Sequence, residues 1–281
     1  MRDGNDPLLT VRDLRVTYPG RHGRGEVCAV NGVSLQVGRR EVVGLVGESG
    51  CGKTTLGSAV MGLVAPAGGA ITFDGEPVNM ADRGWMRRYR RRVQMVFQDP
   101  MGALNPRLTV QAAIEETLYV YRALPGLETA GQRRARCAEL LGQVGLDPST
   151  GSRYPHELSG GQRQRIGIAR ALAAGPELLV ADEPVSALDV SVQVQILNLL
   201  KDIRDQLGIA CLFIAHDLAV VRYMCERVYV MVQGKVVESG DSDTVFESPS
   251  HPYTRRLIDA VPDVDRGLRR RKGQEPRKDN P

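Results

Sequence analysis

Residues 47–54 read GESGCGKT, the spacing G-x-x-x-x-G-K-T, between the apolar run EVVGLVG and a segment of helical character. In that context the pattern is a phosphate-binding loop rather than a chance glycine turn. Its glycines let successive backbone N–H groups curl around phosphate oxygens, and the helix start behind them adds positive potential. Gly47, Glu48, Ser49, Gly50, Cys51, Gly52, Lys53 and Thr54, with Thr55 behind them, are the expected cradle. Lys53 is expected to reach β- and γ-phosphates, and the Thr54 hydroxyl to bind magnesium. ATP and Mg2+ are therefore the expected ligands.

Other apolar runs end in groups suited to the same chemistry. LLVADE (178–183) ends in two carboxylates. Asp182 suits magnesium, directly or through water, and Glu183 suits a general base on the attacking water. Such an ending is as readily structural when taken alone. Beside a phosphate loop the metal needs a carboxylate. RVQMVF runs into Gln98, and ACLFIA runs into His216. An open parallel sheet gathers its ligands outside the carboxyl ends of its strands, so one edge can collect Lys53, Gln98, Asp182 and His216. Gln98 thereby joins Thr54 and Asp182 as a candidate magnesium contact. LSGGQ (158–162) opens a helix: Ser159 is its cap, and Gly160 and Gly161 leave N–H groups uncovered before Gln162. That is a second anion site in a chain with one phosphate loop.

These groups need a particular set of elements to position them. Residues 8–46 read as β-rich, and a helix is predicted over 53–63, stopped by Pro66, Gly68 and Gly69. ITFDGEPV reads as a hairpin piece around Asp74-Gly75, and RRVQMVFQ (91–98) as a strand. From about residue 99 to 158 the character is helical with breaks. A helix from LSGGQ to Gly175-Pro176, the strand LLVADE, a helix through VSVQVQILNLLKDIRDQL and the strand IACLFIAHD follow in βαβ order. YVMVQGKVVESG is a hairpin on Gln233-Gly234. The last fifteen residues or so carry few apolar side chains and are expected to be disordered.

Composition excludes several classes. Thirty-seven basic against thirty-three acidic residues leave a net charge of only +4, too mild to imply nucleic acid. The basic run RRYRRR (87–92) lacks interleaved stacking aromatics beyond Tyr89, which favours a solvated face or a protein contact. The tail at 266–272 reads as solubilising, with contact to anionic lipid as the other possibility. No apolar run reaches the eighteen or so residues that cross a bilayer, and MRDGNDPLLT has no signal-peptide core, so a membrane role must come through partners. Five cysteines without C-x-x-C pairing point to a reduced, cytosolic chain without a disulfide framework. Alkylation of Cys51 is expected to block ATP by bulk.

The ordered set 47–54, Gln98, LSGGQ, LLVADE, SALD (186–189) and His216 resembles the ATP-binding-cassette (ABC) ATPases over about 200 residues. That resemblance implies an α/β P-loop core with an antiparallel β subdomain and an inserted helical subdomain at about 99–160, the nucleotide domain ending near 248. Residues 249–281 are then a short family-type segment and the basic tail. Two cassettes would pair head to tail. Ser159 and Gly161 of one would cap the γ-phosphate held by the other, with Asp189 across the interface. Gln98 would sense the nucleotide, the helical segment would dock on two membrane permease subunits, and His216 would hold the γ-phosphate and orient water. Tyr18 resembles the aromatic that stacks on adenine; a plain core aromatic is the alternative.

A narrower resemblance is to importer ATPases for oligopeptides and dipeptides, a group that also serves nickel and glutathione. It rests on VFQDPMGALNPRLTV, RYPHELSGGQRQR and PSHPYTRRLIDAVP. It implies a peripheral subunit on the cytoplasmic face of the inner membrane, served indirectly by an extracytoplasmic solute-binding protein. No cysteine follows Cys225, so an iron–sulfur centre is not supported. A soluble cassette ATPase acting in DNA repair, on ribosomes or as a scaffold is the alternative.

Overall fold

The computed structural model describes residues 6–20, 25–99, 102, 104–121 and 127–260. Two sheets carry it. The first is antiparallel in the order β2-β1-β4-β5, from β1 (Leu9–Pro19), β2 (Glu26–Val37), β4 (Gly68–Phe73) and β5 (Glu76–Pro77). The second contains β3 (Val42–Val46), β6 (Val93–Val96), β7 (Leu178–Asp182), β8 (Ala210–Ala215), β9 (Arg227–Val232) and β10 (Lys235–Asp241). Its order is β10-β9-β3-β8-β7-β6, parallel except for the β9–β10 hairpin.

Period-2 alternation explains why the central strands β3, β7 and β8 are buried along their whole length. Val43, Leu45, Leu178, Val180, Leu212 and Ile214 face a core shared with the first sheet and with α1 (Lys53–Val60). Their neighbours Val42, Val46, Leu179, Ala181, Phe213 and Ala215 face a core built with helices. A parallel sheet covered on both sides has no polar face to present. The helices are α3 (Val110–Val120), α4 (Ala130–Gln143), α5 (Gly160–Leu172) and α6 (Val190–Leu207). Three of them lie between β6 and β7, where the sequence reads as helical with breaks. Three short helices follow among the described residues: α7 (Leu218–Met224), α8 (Ser242–Glu247) and α9 (Pro252–Asp259).

Two expectations are corrected. The strand predicted over 91–98 is limited to Val93–Val96, because Arg91 and Arg92 close a helix, α2 (Arg83–Arg92), capped by Asp82. RRYRRR is therefore not simply a solvated face. Tyr89 is buried and stacks on Trp85 with ring centroids 5.1 Å apart, and Arg92 pairs with Glu177 at 2.5 Å and Asp74 at 2.6 Å. The helix predicted over 53–63 ends at Val60. The terminal residues expected to be disordered lie outside the described residues.

Candidate functional site: a phosphate cleft at the strand ends

Parallel register places the carboxyl ends of four strands side by side. Val46 pairs with Ala215, Ile214 with Asp182, and Ala181 with Val96. The turn at 47–54, His216, the 182–183 pair and Gln98 therefore follow one another along one edge. Between them lies a cleft of about 480 Å³ lined by Ala29, Ser49, Gly50, Gly52, Lys53, Thr54, Thr55, Gln98, Glu183 and His216.

The loop is shaped by close approaches that only glycine permits. Gly52 has φ +108°, and a Cβ there would stand 2.1 Å from the Ala29 carbonyl oxygen. A Cβ on Gly47 would meet the Met231 carbonyl oxygen at 2.1 Å. Lys53 is buried, and its ammonium donates to the carbonyl oxygens of Gly47 at 2.7 Å and Glu48 at 2.9 Å. It thus spans the mouth of the loop that it is expected to serve. Cys51 turns inward and is buried, and burial pushes its thiol above the ordinary value. Both slow the alkylation that is expected to block ATP.

Two of the three metal-suited groups, Thr54 and Asp182, meet, while Gln98 bonds Glu183 instead. The Thr54 hydroxyl donates to Asp182 Oδ1 at 3.2 Å. Burial pushes the Asp182 carboxyl above its ordinary value, against the Thr54 bond that pulls it down. A cation beside these oxygens would relieve that cost, and hydroxyl plus carboxylate is a donor set suited to magnesium. Among the described residues no cluster of three or more His, Cys, Asp or Glu side chains stands ready to hold a metal.

Glu183 is the hub of the far wall. Its Oε2 accepts from Gln98 Nε2 at 3.0 Å and lies 3.1 Å from His216 Nδ1. Gln98 also approaches the Ser186 hydroxyl at 3.4 Å, which in turn donates to the Glu183 carbonyl at 3.2 Å. Glu183 sits at φ +46°, a conformation costing a non-glycine residue about 1–3 kcal/mol. The Glu183 N–H bond to Ile214 O, 2.9 Å, helps hold it there. Sequence reasoning missed the backbone strain and the Ser186 bridge; a serine three residues after the carboxylate was the only signal.

The other predicted residues lie elsewhere. Ser159 and Gln162 form a reciprocal cap on α5, with Ser159 N–H to Gln162 Oε1 at 3.0 Å and Gln162 N–H to Ser159 Oγ at 3.2 Å. None of 158–162 lines the cleft. Gly160 and Gly161 have an added role within the chain: a Cβ on Gly161 would stand 2.6 Å from Val192 Cγ1, and one on Gly160 3.3 Å from Leu188 Cδ2. Asp189 caps α6, accepting from Val192 N–H at 3.0 Å and the Ser191 hydroxyl at 2.8 Å. Those bonds hold its carboxyl below the ordinary value, the Val192 N–H foremost. Tyr18 is the last residue but one of β1, opposite Val27, and is 38% exposed, so it is not a core aromatic, but neither does it line the cleft.

Comparison with known proteins identifies the family. The family described as ABC transporter matches residues 30–186, and the oligopeptide/dipeptide transporter C-terminal region matches 237–281. A Brucella ovis protein with a provisional peptide import ATP-binding name is 49% identical over 259 residues, covering 92% of this chain and 80% of that protein. The oligopeptide transport ATP-binding protein OppF of Bacillus subtilis is 47% identical, covering 92% and 83%. Among solved structures, CbiO1 of Clostridium perfringens, part of a cbiONQ transporter complex, has a TM-score of 0.75 at 28% identity, covering 94% and 99%. A dimeric ATP-binding cassette in a post-hydrolysis state with ADP and Pi has a TM-score of 0.74 at 31% identity, covering 83% and 98%. The chain belongs to the ABC transporter family, and is an ATP-hydrolysing cassette of it.

Proposed function

We propose that this cassette drives an importer of oligopeptides, dipeptides or a related small solute, by closing on ATP against a second cassette. The observation that carries the reading is one cleft lined by the phosphate loop and Glu183, with the buried Asp182 bonded to Thr54 behind it. The C-terminal match at 237–281 and the import names of relatives support the solute class.

In this reading the loop amides and Lys53 bind the phosphates, and Lys53 leaves its carbonyl partners to do so. Thr54 and Asp182, with Gln98, hold Mg2+, which neutralises developing charge on the phosphate oxygens. Glu183 accepts a proton from the attacking water, and His216, held on the same carboxylate, orients that water. Tyr18 offers an exposed face to the base. Ser159, Gly160, Gly161 and Gln162 present helix N–H donors to the partner's nucleotide, with Asp189 beside them. The helical stretch at about 99–160 docks on two permease subunits at the cytoplasmic face. No helix among the described residues is long and apolar enough to cross a membrane.

Chromatography of the Glu183→Gln chain with Mg-ATP, alone and mixed with the co-purified second cassette, tests pairing with an identical or a homologous partner: a dimer that dissociates when nucleotide is removed is expected, and a monomer in both cases would refute it. Purification from membranes should bring two polytopic proteins and a second cassette; recovery only from the soluble fraction, on DNA or ribosomes, would overturn the importer reading.

A further inference from the structure

The HPYT segment has no part in the chemistry described above, yet it touches the phosphate loop. The backbone N–H of Glu48 donates to the Tyr253 hydroxyl at 3.1 Å, across 205 residues of sequence. Tyr253 is 6% exposed and opens α9. Its place is set from β10. The Glu238 carboxylate accepts from Ser250 N–H at 2.6 Å, the Ser250 hydroxyl at 2.8 Å and His251 N–H at 3.1 Å. His251 Nδ1 then accepts the Tyr253 N–H at 3.2 Å.

The Glu48 N–H belongs to the same peptide unit as the Gly47 carbonyl, which accepts from Lys53 at 2.7 Å. One peptide plane is therefore gripped at both ends, by Lys53 on the cleft side and by Tyr253 on the other. Lys53 must give up the Gly47 and Glu48 carbonyls to reach a phosphate. The Tyr253 bond needs no such release. Further along, Gly234 N–H donates to the Cys51 carbonyl at 2.9 Å, so the loop is tied to the C-terminal part of the chain at two points.

We propose that Tyr253 is a positioning residue for the phosphate loop: its hydroxyl keeps the 47–48 peptide oriented once Lys53 has turned to the nucleotide. The C-terminal segment thereby contributes to nucleotide affinity. This rests on residues 47–54 being the nucleotide site.

The test is titration of the full chain with Mg-ADP, followed by heat and by thermal melting, for the parent protein, Tyr253→Phe and Lys53→Ala. Phenylalanine keeps the buried ring and removes one hydrogen-bond acceptor. Tyr253→Phe is expected to bind Mg-ADP about three- to tenfold more weakly, the worth of one hydrogen bond to a buried group. The melting shift produced by ADP should shrink in step. A variant that melts lower but binds Mg-ADP as tightly as the parent makes Tyr253 a packing residue and overturns the inference. Parent protein that fails to bind, or Lys53→Ala that binds equally well, overturns the phosphate-loop reading instead. If Tyr253→Phe does not fold, Glu238→Ala decides, since it frees the segment while leaving the phenol: weaker binding supports the inference and unchanged binding refutes it.

Discussion

Two helix starts among the described residues, α1 and α5, carry glycines, and they are built differently. At α1 the turn is walled by the backbone of other strands, bridged by a buried lysine, and faced by four groups from neighbouring strand ends. At α5 the turn is capped by its own Ser159 and Gln162, packed beneath on Val192, and faced by no cleft residue of this chain. The first gathers its groups from several elements of one chain. The second gathers none from the cleft, and under the proposed pairing it faces the partner's nucleotide. Helix-terminus potential is common to both; what separates them is how many other elements converge.

The sharpest way to break this comparison is at the converging carboxylate. Glu183→Gln should lower hydrolysis roughly 10²–10⁴-fold while leaving ATP binding intact, measured by phosphate release and by titration. Near-normal turnover would remove Glu183 from its role.

The same substitution at the two helix starts comes next. Gly52→Ala must place a Cβ against a backbone carbonyl at 2.1 Å and hold φ +108°. Strain and overpacking together should cost about 2–5 kcal/mol and abolish ADP binding. Gly161→Ala meets a valine side chain at 2.6 Å. Overpacking of about 1–3 kcal/mol is offset there by about 1 kcal/mol of helix propensity, leaving ADP binding to the monomer unchanged. Equal losses at both positions would erase the distinction drawn here.

Ser159→Ala sharpens the second site. Loss of the cap should cost about 1 kcal/mol of stability, a melting change of about 2–4 °C. ADP affinity of the isolated chain should not move, whereas hydrolysis should fall and lose its dependence on protein concentration.

The smallest effect concerns acid stability. Burial tends to raise the Glu238 carboxyl, but its hydrogen bonds bring it down from 4.5 to about 2. A carboxyl lowered on folding stabilises above its unfolded value, and that contribution drains away as pH falls through the folded one. Melting curves of the parent and Glu238→Gln should therefore differ above pH 4.5 and converge as the pH approaches 2. A difference that grows with acidification would reverse the sign of this coupling.

Much of the site was legible because its signals are local. G-x-x-x-x-G-K-T after an apolar run, and an apolar run ending in Asp182-Glu183, each compress strand, turn and ligand into a few residues. Gln98 and His216 were legible by the weaker rule that parallel strands end together, which the register bears out. Helix α2 was not: RGWMRRYRRR buries only Met86 and Tyr89, too faint a periodicity to outweigh its arginines, so Arg91 and Arg92 read as the start of a strand.

The amino-acid sequence by itself determined the phosphate loop, the alternating βαβ order and the ordered motifs that carry the family, since each depends on neighbours within one or two turns of chain. Only the tertiary structure decided that Glu183 lies in a left-handed backbone conformation with Gln98 and His216 on its carboxylate. Only it set Gly161 against Val192 and brought Tyr253 under Glu48. Those pairings join residues from 31 to 205 positions apart, and nothing in local propensity encodes a contact whose partners meet only after the sheet has closed.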